Sequence, residues 1–219
     1  MLNEAERARI GARMRAFESD TGAQIVVALV RRSDSYPEIA WKAFALGASL
    51  AALARVASDV VRPDWTGAHA VLGTVVAVLA AGVALALAAL RIPALGRRFV
   101  HPDRAAGEVL QHARTLFLRH EVFATGARNG VLILASRFER CVAILPDTGL
   151  AQRIADGELE RVIGAMRDPL AADACADALC AGIEAAGNLL RAKGWQGART
   201  GEPGLPNTII EEDGDAPRG

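Results

Sequence analysis

Residues 130–149 carry the stretch GVLILASRFERCVAILPDTG, from which the prediction of the fold starts. Two aliphatic runs, VLILAS at 131–136 and CVAILP at 141–146, lie on either side of the polar segment RFER. Short runs rich in β-branched residues are typical of strands, and a short polar connection favours an antiparallel pair. The stretch therefore predicts a β-hairpin whose second strand runs into an Asp-Thr-Gly triplet at 147–149.

This triplet has more than one chemical interpretation. In an aspartic protease, two such triplets lie in β-rich lobes and their carboxylates share a proton. Here Pro146 precedes the triplet and an amphipathic helical pattern follows it directly, which argues against that class. The pattern predicts a strand-to-helix turn in which Asp147 or Thr148 caps the helix. The alternative is that Asp147 is an oxygen ligand for Ca²⁺ or Mg²⁺, together with Asp20 or Glu121.

The composition excludes some classes of partner and of site. The chain has 219 residues, 52% of them hydrophobic, and 25 basic residues balance 25 acidic ones. A chain without net positive charge has no overall basic field for phosphates, so we expect no nucleic-acid partner. Cys141, Cys175 and Cys180 have neither metal-ligand spacing nor a disulfide pattern. We expect them to be buried thiols in a reducing compartment.

The sequence on either side of the hairpin supplies the other elements of an α/β domain. Asn3 and Glu6 form a capping-box pattern ahead of apolar residues at helical spacing, and QIVVALV at 24–30 predicts a buried strand. Further helices are predicted at about 103–121, 150–166 and 170–190. Neither part of the chain holds enough elements for its own core, so we expect one α/β domain built from both.

Between these two parts the sequence predicts a transmembrane hairpin. Residues 65–90 contain no Asp, Glu, Lys or Arg and are long enough to cross the hydrocarbon core as a helix. The preceding apolar segment is interrupted by Lys42 near one end and by Arg55 and Asp59 near the other, where the last two can form a pair. We predict spans at about 39–61 and 68–90, joined by the turn RPDWTG with Trp65 as an interfacial anchor.

Basic residues near the spans predict the orientation and complete the division of the chain. They are more numerous beside the outer ends of the hairpin than beside its loop, which has only Arg55 and Arg62. By the positive-inside rule, we expect an inner-membrane protein whose soluble domain and both termini are cytoplasmic. Residues 1–35 and 101–195 form the soluble domain, 36–100 form the hairpin, and 196–219 form a flexible tail rich in Gly, Pro and acidic residues.

The strand order predicts where a site would lie. A long crossover makes strands 24–30 and 131–136 parallel, whereas the hairpin is antiparallel. We therefore expect Asp20, Glu121, Asn129 and Asp147 to meet at one edge of the sheet. Oxygen ligands of this kind suit Ca²⁺ or Mg²⁺ better than zinc. Each residue also has a purely structural alternative in a turn, at a helix end or as a helix cap.

Three segments together resemble a known family. They are TGAQIVVALV at 21–30, TGARNGVLILASRFERCVAILPDTGLAQRI at 125–154 and ADACADALCAGIEAAGNLL at 172–190. In order and character they resemble the TPM domain in its bacterial membrane-attached form, over about residues 3–195 without the hairpin. The resemblance implies a small α/β sandwich. It also implies divalent-metal binding, acid phosphatase activity, and auxiliary or repair roles at membrane complexes.

The motifs of common hydrolases are not found in the chain. It has no nucleophile elbow around a serine and no P-loop. We therefore predict a membrane-anchored TPM-like binding or assembly module that acts on or near membrane complexes and binds calcium or magnesium. Its expected partners are the membrane and other membrane proteins. The alternative is a weak metal-dependent acid phosphatase or another hydrolase.

Overall fold

The structure is a computed structural model that describes residues 2–62, 67–155, 157–195 and 209–213. The chain divides into two compact units. One, which we call the α/β unit, comprises Met1–Ser35 and Asp103–Gly219. The other, the hairpin unit, comprises Tyr36–Pro102. The predicted turn with Trp65 lies outside the described residues, as does most of the predicted flexible tail.

The secondary structure follows the sequence patterns closely. Helix α1, Glu4–Thr21, begins at the predicted capping box, in which Asn3 and Glu6 exchange two hydrogen bonds of 2.8 Å, and it ends at Gly22 with φ 68°. The other elements are β1 (Gln24–Val30), α2 (Glu38–Val61), α3 (Ala68–Arg91), α4 (Pro93–Gly96), a 3₁₀ turn (Arg97–Phe99), α5 (Pro102–Arg119), β2 (Gly130–Ser136), β3 (Cys141–Pro146), α6 (Thr148–Ala151), α7 (Glu158–Ala171), α8 (Cys175–Ala192) and β4 (Ile209–Glu212).

The strands form one mixed sheet in the order β3-β2-β1-β4. Strands β1 and β2 are parallel, with Gln24 opposite Gly130 and Val30 opposite Ser136. Strands β2 and β3 are antiparallel, with Val131 opposite Pro146. Both predicted pairings are therefore confirmed, and the fold is the predicted α/β class.

Helices cover both faces of the sheet, and alternate side chains of each strand point to opposite faces. In β1, Ile25, Val27 and Leu29 join a core with α1, α7 and α8, whereas the intervening Val26 and Ala28 join a second core with α5. Because both faces are covered, β1 and β2 are nearly continuous apolar runs. This is why the continuous apolar run at 24–30 correctly predicted a buried strand.

The prediction of a flexible tail is wrong for residues 209–212. These residues form β4, which pairs in parallel with β1 from Val27 to Val30. Ile209 and Ile210 pack against the two opposite cores. The run Ile-Ile-Glu-Glu is too short for its β-propensity to predict a strand. Its pairing depends on the free edge of β1, which exists only in the folded sheet.

The helical region after β3 is divided differently from the prediction. The helix expected at about 150–166 is replaced by the single turn α6 and by α7, which starts after Gly157 at φ 82°. The Glu158 carboxylate accepts a hydrogen bond from Ala155 N–H at 2.7 Å and so caps the new start. Leu170, expected to open the last helix, lies at the end of α7, and Asp173 at φ 63° separates it from α8.

The hairpin unit consists mainly of two closely packed helices of 24 residues each, α2 and α3. A Cβ atom added to Gly47 would lie 2.8 Å from the Ala81 carbonyl oxygen, and one added to Gly82 would lie 2.8 Å from the Phe44 ring. Glycine at both positions therefore permits the close approach. The predicted pair of Arg55 and Asp59 forms at 3.0 Å. Both helices are long enough and apolar enough to cross a bilayer.

Candidate functional site

The starts of β1 and β2 and the end of β3 meet at one edge of the sheet. Gln24 N–H donates to the Asn129 carbonyl at 3.2 Å, and Asp147 N–H donates to the Gly130 carbonyl at 2.8 Å. Gly149 N–H donates to the Arg128 carbonyl at 3.0 Å. The segment 128–130 is thus held between the loops that precede β1 and follow β3, as the strand order predicted.

Asn129 is fixed in the centre of this edge by its own hydrogen bonds. Its side chain is buried, and Nδ2 donates to the Gly22 carbonyl at 2.8 Å. Its backbone N–H donates to Thr125 Oγ1 at 2.9 Å. The side-chain amide therefore links the end of α1 to the start of β2.

Asp147 is the buried carboxylate of this edge, with 3% of its surface exposed. Its Oδ1 accepts a hydrogen bond from Thr148 N–H at 2.7 Å, which confirms the predicted helix cap. Its Oδ2 lies 3.0 Å from Arg128 Nε, but that N–H is directed at Thr148 Oγ1, 3.4 Å away. Oδ2 therefore faces a positive charge without accepting a hydrogen bond from the described residues.

Two glycines permit the close approach of the loops at this edge. A Cβ at Gly149 would lie 2.6 Å from the Arg128 carbonyl oxygen and 2.7 Å from that of Ala127. A Cβ at Gly130 would lie 2.1 Å from the Val122 carbonyl oxygen. The glycine of the Asp-Thr-Gly triplet is thus required by backbone packing, and this requirement is independent of any catalytic role.

The other two predicted ligands have different surroundings. Asp20 is about half exposed and pairs with Arg191 of α8 at 2.8 Å. Glu121 is exposed in the turn after α5, at a left-handed φ of 48°. The structure therefore brings Asn129 and Asp147 together, while the Asp20 carboxylate is engaged by an arginine of another helix.

The sequence contains a second Asp-Thr-Gly triplet, at 20–22, which the structure places at the C-terminal end of α1. The carboxylates of Asp20 and Asp147 pair with different arginines, Arg191 and Arg128. Two aspartic-protease carboxylates must instead share one proton. In the described structure, each of the two carboxylates instead faces its own arginine.

The four predicted ligands do not amount to a complete cation site. In the ranges that the structure describes, no three His, Cys, Asp or Glu side chains are grouped so that they could hold a metal ion. The guanidinium of Arg128 already places a positive charge beside Asp147 Oδ2. Arg128 is half exposed, so its side chain has room to move away. The assignment of calcium or magnesium to this edge stays a prediction.

The three cysteines offer no nucleophile to this edge. They are free thiols, with Cys175 buried and the other two half-buried. Burial raises the pKa of Cys141, Cys175 and Cys180 above the ordinary value of a thiol. They are therefore protonated at neutral pH, and none has the lowered pKa of a reactive cysteine.

Comparison with known proteins identifies the domain. The family model described as TPM domain matches residues 98–189. This part of the chain resembles the TPM domain. The match covers α5, β2, β3, α6, α7 and most of α8, together with the connecting residues, among them Arg128, Asn129 and Asp147. The resemblance to the TPM domain found in the sequence is thereby confirmed over residues 98–189.

The chain also has a structural relative. The solution NMR structure of the BA42 protein from the psychrophilic bacterium Bizionia argentinensis aligns with a TM-score of 0.57. The alignment covers 96% of this chain and 95% of BA42, at 17% sequence identity. At this identity the likeness shows the fold alone. No curated protein matches the chain in sequence.

The strand order placed Arg128 at this edge, but sequence reasoning did not identify it as a functional residue, and it missed Thr125. Arg128 is the partner of Asp147, and Thr125 accepts the hydrogen bond from the Asn129 N–H. Both lie in the segment Thr-Gly-Ala-Arg-Asn-Gly ahead of β2, and Arg128 has a left-handed φ of 51°. The density of Gly and Asn predicted a turn there but could not indicate which side chains it directs at Asp147.

Proposed function

We propose that this protein is a membrane-anchored TPM-domain module that binds or helps to assemble other proteins at the inner membrane. The hairpin unit supplies the anchor and the α/β unit supplies the binding surface. The soluble unit and both termini lie in the cytoplasm under this proposal. Calcium or magnesium binding at Asp147, after displacement of Arg128, belongs to the proposal as well.

The observation that carries the proposal is the exposure of apolar side chains on α2 and α3. Among the described residues, nearly all exposed large hydrophobic side chains lie on these helices, the exceptions being Ile92 and Leu118. In each helix, only 6% of the most apolar 18-residue segment is buried. Core helices of a soluble protein would bury such a surface, because exposing it to water costs about 25 cal/mol per Å².

The dimensions and charges of the hairpin unit support the same proposal. A helix of 24 residues is about 36 Å long, which exceeds the hydrocarbon thickness of about 30 Å. Lys42, at the outer end of α2, donates to the Phe99 carbonyl at 3.1 Å, and Arg91 ends α3. The loop end has two arginines, Arg55 and Arg62, of which Arg55 pairs with Asp59. Because Lys and Arg are more numerous near the outer ends of the two helices than near the loop, the positive-inside rule favours a cytoplasmic outer end.

A pair of matched charge insertions tests the anchor. In the variant Leu79→Lys/Val83→Lys, two exposed apolar residues of α3 become charged near the middle of the helix. Each lysine at the centre of a span costs about 3 kcal/mol of insertion free energy, so we expect the membrane fraction resistant to alkaline extraction to fall sharply. The control Thr115→Lys/Leu118→Lys adds the same charge to exposed positions of α5 and should leave that fraction unchanged.

Two outcomes of this experiment contradict the anchor. One is a wild-type protein that alkaline extraction releases completely, and the other is equal behaviour of the two variants. Reporters fused after Arg98 and at the C-terminus should both be active in the cytoplasm. A reporter at the C-terminus that is active only outside the cytoplasm would contradict the orientation.

A further inference from the structure

The C-terminal strand β4 occupies the edge of β1, where it is held mainly by its backbone. Its residues pair with Val27–Val30, and Arg31 N–H donates to the Glu212 carbonyl at 3.0 Å. Without β4, this side of β1 would be an open edge with unpaired backbone groups. Such an edge is a template for the addition of another extended segment.

The first half of β4 is recognised through apolar contacts on both faces of the sheet. Ile209 packs against the core that contains α1, α7 and α8, and Ile210 packs against the core that contains α5. All four residues of β4 are half-buried. The edge therefore accommodates two successive apolar side chains that point in opposite directions.

The second half of β4 is recognised through its two carboxylates, the first of which binds α1. Glu211 Oε2 accepts a hydrogen bond from Leu2 N–H at 3.1 Å, and Oε1 accepts one from Arg7 Nε at 2.6 Å. The hydrogen bond from Arg7 is the main cause that lowers the pKa of Glu211 below its ordinary value. Glu211 is therefore ionised in the docked strand at neutral pH.

The second carboxylate binds the opposite helix, α5. Glu212 Oε1 lies 2.7 Å from Arg119, and Oε2 lies 3.1 Å from His112 Nε2. Successive side chains of a strand point to opposite faces, so each glutamate meets only one helix. The β1 edge is thus flanked by α1 and α5, which place positive groups next to the two glutamates of β4, and by the backbone N–H of Leu2.

We propose that this β1 edge is a strand-acceptor site for extended segments of two apolar residues followed by two acidic residues. The residues Ile209–Glu212 are its internal occupant. A partner protein that exposes a segment of this pattern binds by displacing β4 and adding a parallel strand. All the residues involved belong to the α/β unit, so the inference does not depend on the proposed membrane anchor.

The internal occupant is held in a way that permits exchange. Its strand has four residues, and its ion pairs involve arginines that are about half exposed, so solvent screening leaves each pair only weakly stabilising. Covalent attachment adds a large advantage, because a short tether gives an effective concentration in the millimolar range. A partner segment must therefore be abundant or bind at a second place to compete with intact β4.

The experiment separates covalent attachment from recognition. A protease recognition sequence is placed within residues 196–208 of the full chain, and the protein is purified in detergent micelles, cleaved, and freed of dissociated fragment. A fluorescent peptide with the sequence LPNTIIEEDG, residues 205–214, is then added in excess. We expect the peptide to bind the cleaved protein and to bind the uncleaved protein at least tenfold more weakly.

Variants then test the charge pattern. A peptide with Glu211→Gln and Glu212→Gln should bind at least fivefold more weakly than the native peptide. Arg7→Glu should weaken binding of the native peptide, and a peptide with Glu211→Arg should recover part of the loss. Arg15→Glu makes the same charge change at an exposed position of α1 and should have no effect.

Either of two results overturns the proposal. One is that no native peptide binds the cleaved protein at equilibrium. The other is that the Gln-substituted peptide binds as tightly as the native one. That result would mean that the β1 edge recognises apolar side chains and does not recognise the two negative charges.

Discussion

Replacing Gly149 by alanine tests how the Asp-Thr-Gly turn is built. The Gly149 N–H donates to the Arg128 carbonyl at 3.0 Å, so the two loops are in direct backbone contact. An alanine Cβ would lie 2.6 and 2.7 Å from two carbonyl oxygens, well inside ordinary contact distances of 3.4–4 Å. Because the obstacle is backbone, no flexible side chain can move aside, and the loops must separate.

The expected cost follows from the size of this overlap. Overpacking by one methyl group typically costs about 1–3 kcal/mol, and a clash with two backbone atoms belongs near the middle of that range or above. We therefore expect Gly149→Ala to lower the free energy of unfolding of the α/β unit by about 2 kcal/mol. For a unit of this size, the melting temperature should fall by about 4–8 °C.

Thiol labelling measures this change in the full chain without interference from the hairpin unit. All three cysteines lie in the α/β unit, and Cys175 is only 8% exposed, so the labelling of Cys175 reports unfolding of that unit. The matched control is Gly107→Ala in α5, where an added Cβ would have no neighbour within 4 Å. There we expect a gain of about 0.5–1 kcal/mol from the lower backbone entropy of alanine in a helix.

The reasoning would be refuted by a Gly149→Ala protein that melts within 1 °C of wild type, a difference taken as about the limit of the measurement. It would be refuted equally by two alanine variants that shift the melting temperature in the same direction. Either outcome would mean that the turn tolerates a Cβ, and that the glycine of the triplet requires another explanation.

Two further predictions concern the charges of the α/β unit. If a divalent cation binds at Asp147, millimolar Ca²⁺ or Mg²⁺ should raise the melting temperature by mass action, more in Arg128→Gln and not in Asp147→Asn. If the melting temperature rises in neither wild type nor Arg128→Gln, the cation is excluded. If the wild type hydrolyses a phosphate ester and Asp147→Asn does not, the hydrolase alternative is favoured. The lowered pKa of Glu211 means that its contribution to docking of β4 is complete above pH of about 4.3 and is lost as pH falls through the folded value. Amide hydrogen exchange at 209–212 should therefore accelerate on acidification, after correction for intrinsic rates, with a flatter profile in Glu211→Gln; identical profiles would contradict this.

The sequence by itself determined the elements whose pattern is strong and local. Strands β1 and β3 have the predicted bounds, because continuous apolar runs between polar turns leave little choice of element. The capping box at Asn3 and Glu6 fixed the start of α1, since both partners lie within one turn. The two apolar helices of the hairpin unit were equally clear, because their length and lack of charge do not depend on packing. The order of the segments was sufficient to indicate the TPM domain.

Only the tertiary structure decided the features that depend on partners distant in sequence. Strand β4 exists because β1 offers an edge and because Arg7 and Arg119 lie opposite its glutamates, more than 90 residues away along the chain. The fate of the predicted ligands was decided in the same way: Asp20 is engaged by Arg191, while Asp147 is buried beside Arg128. Periodicity describes the residues within one element, whereas the contacts of a carboxylate depend on how separate elements pack, which no local pattern records.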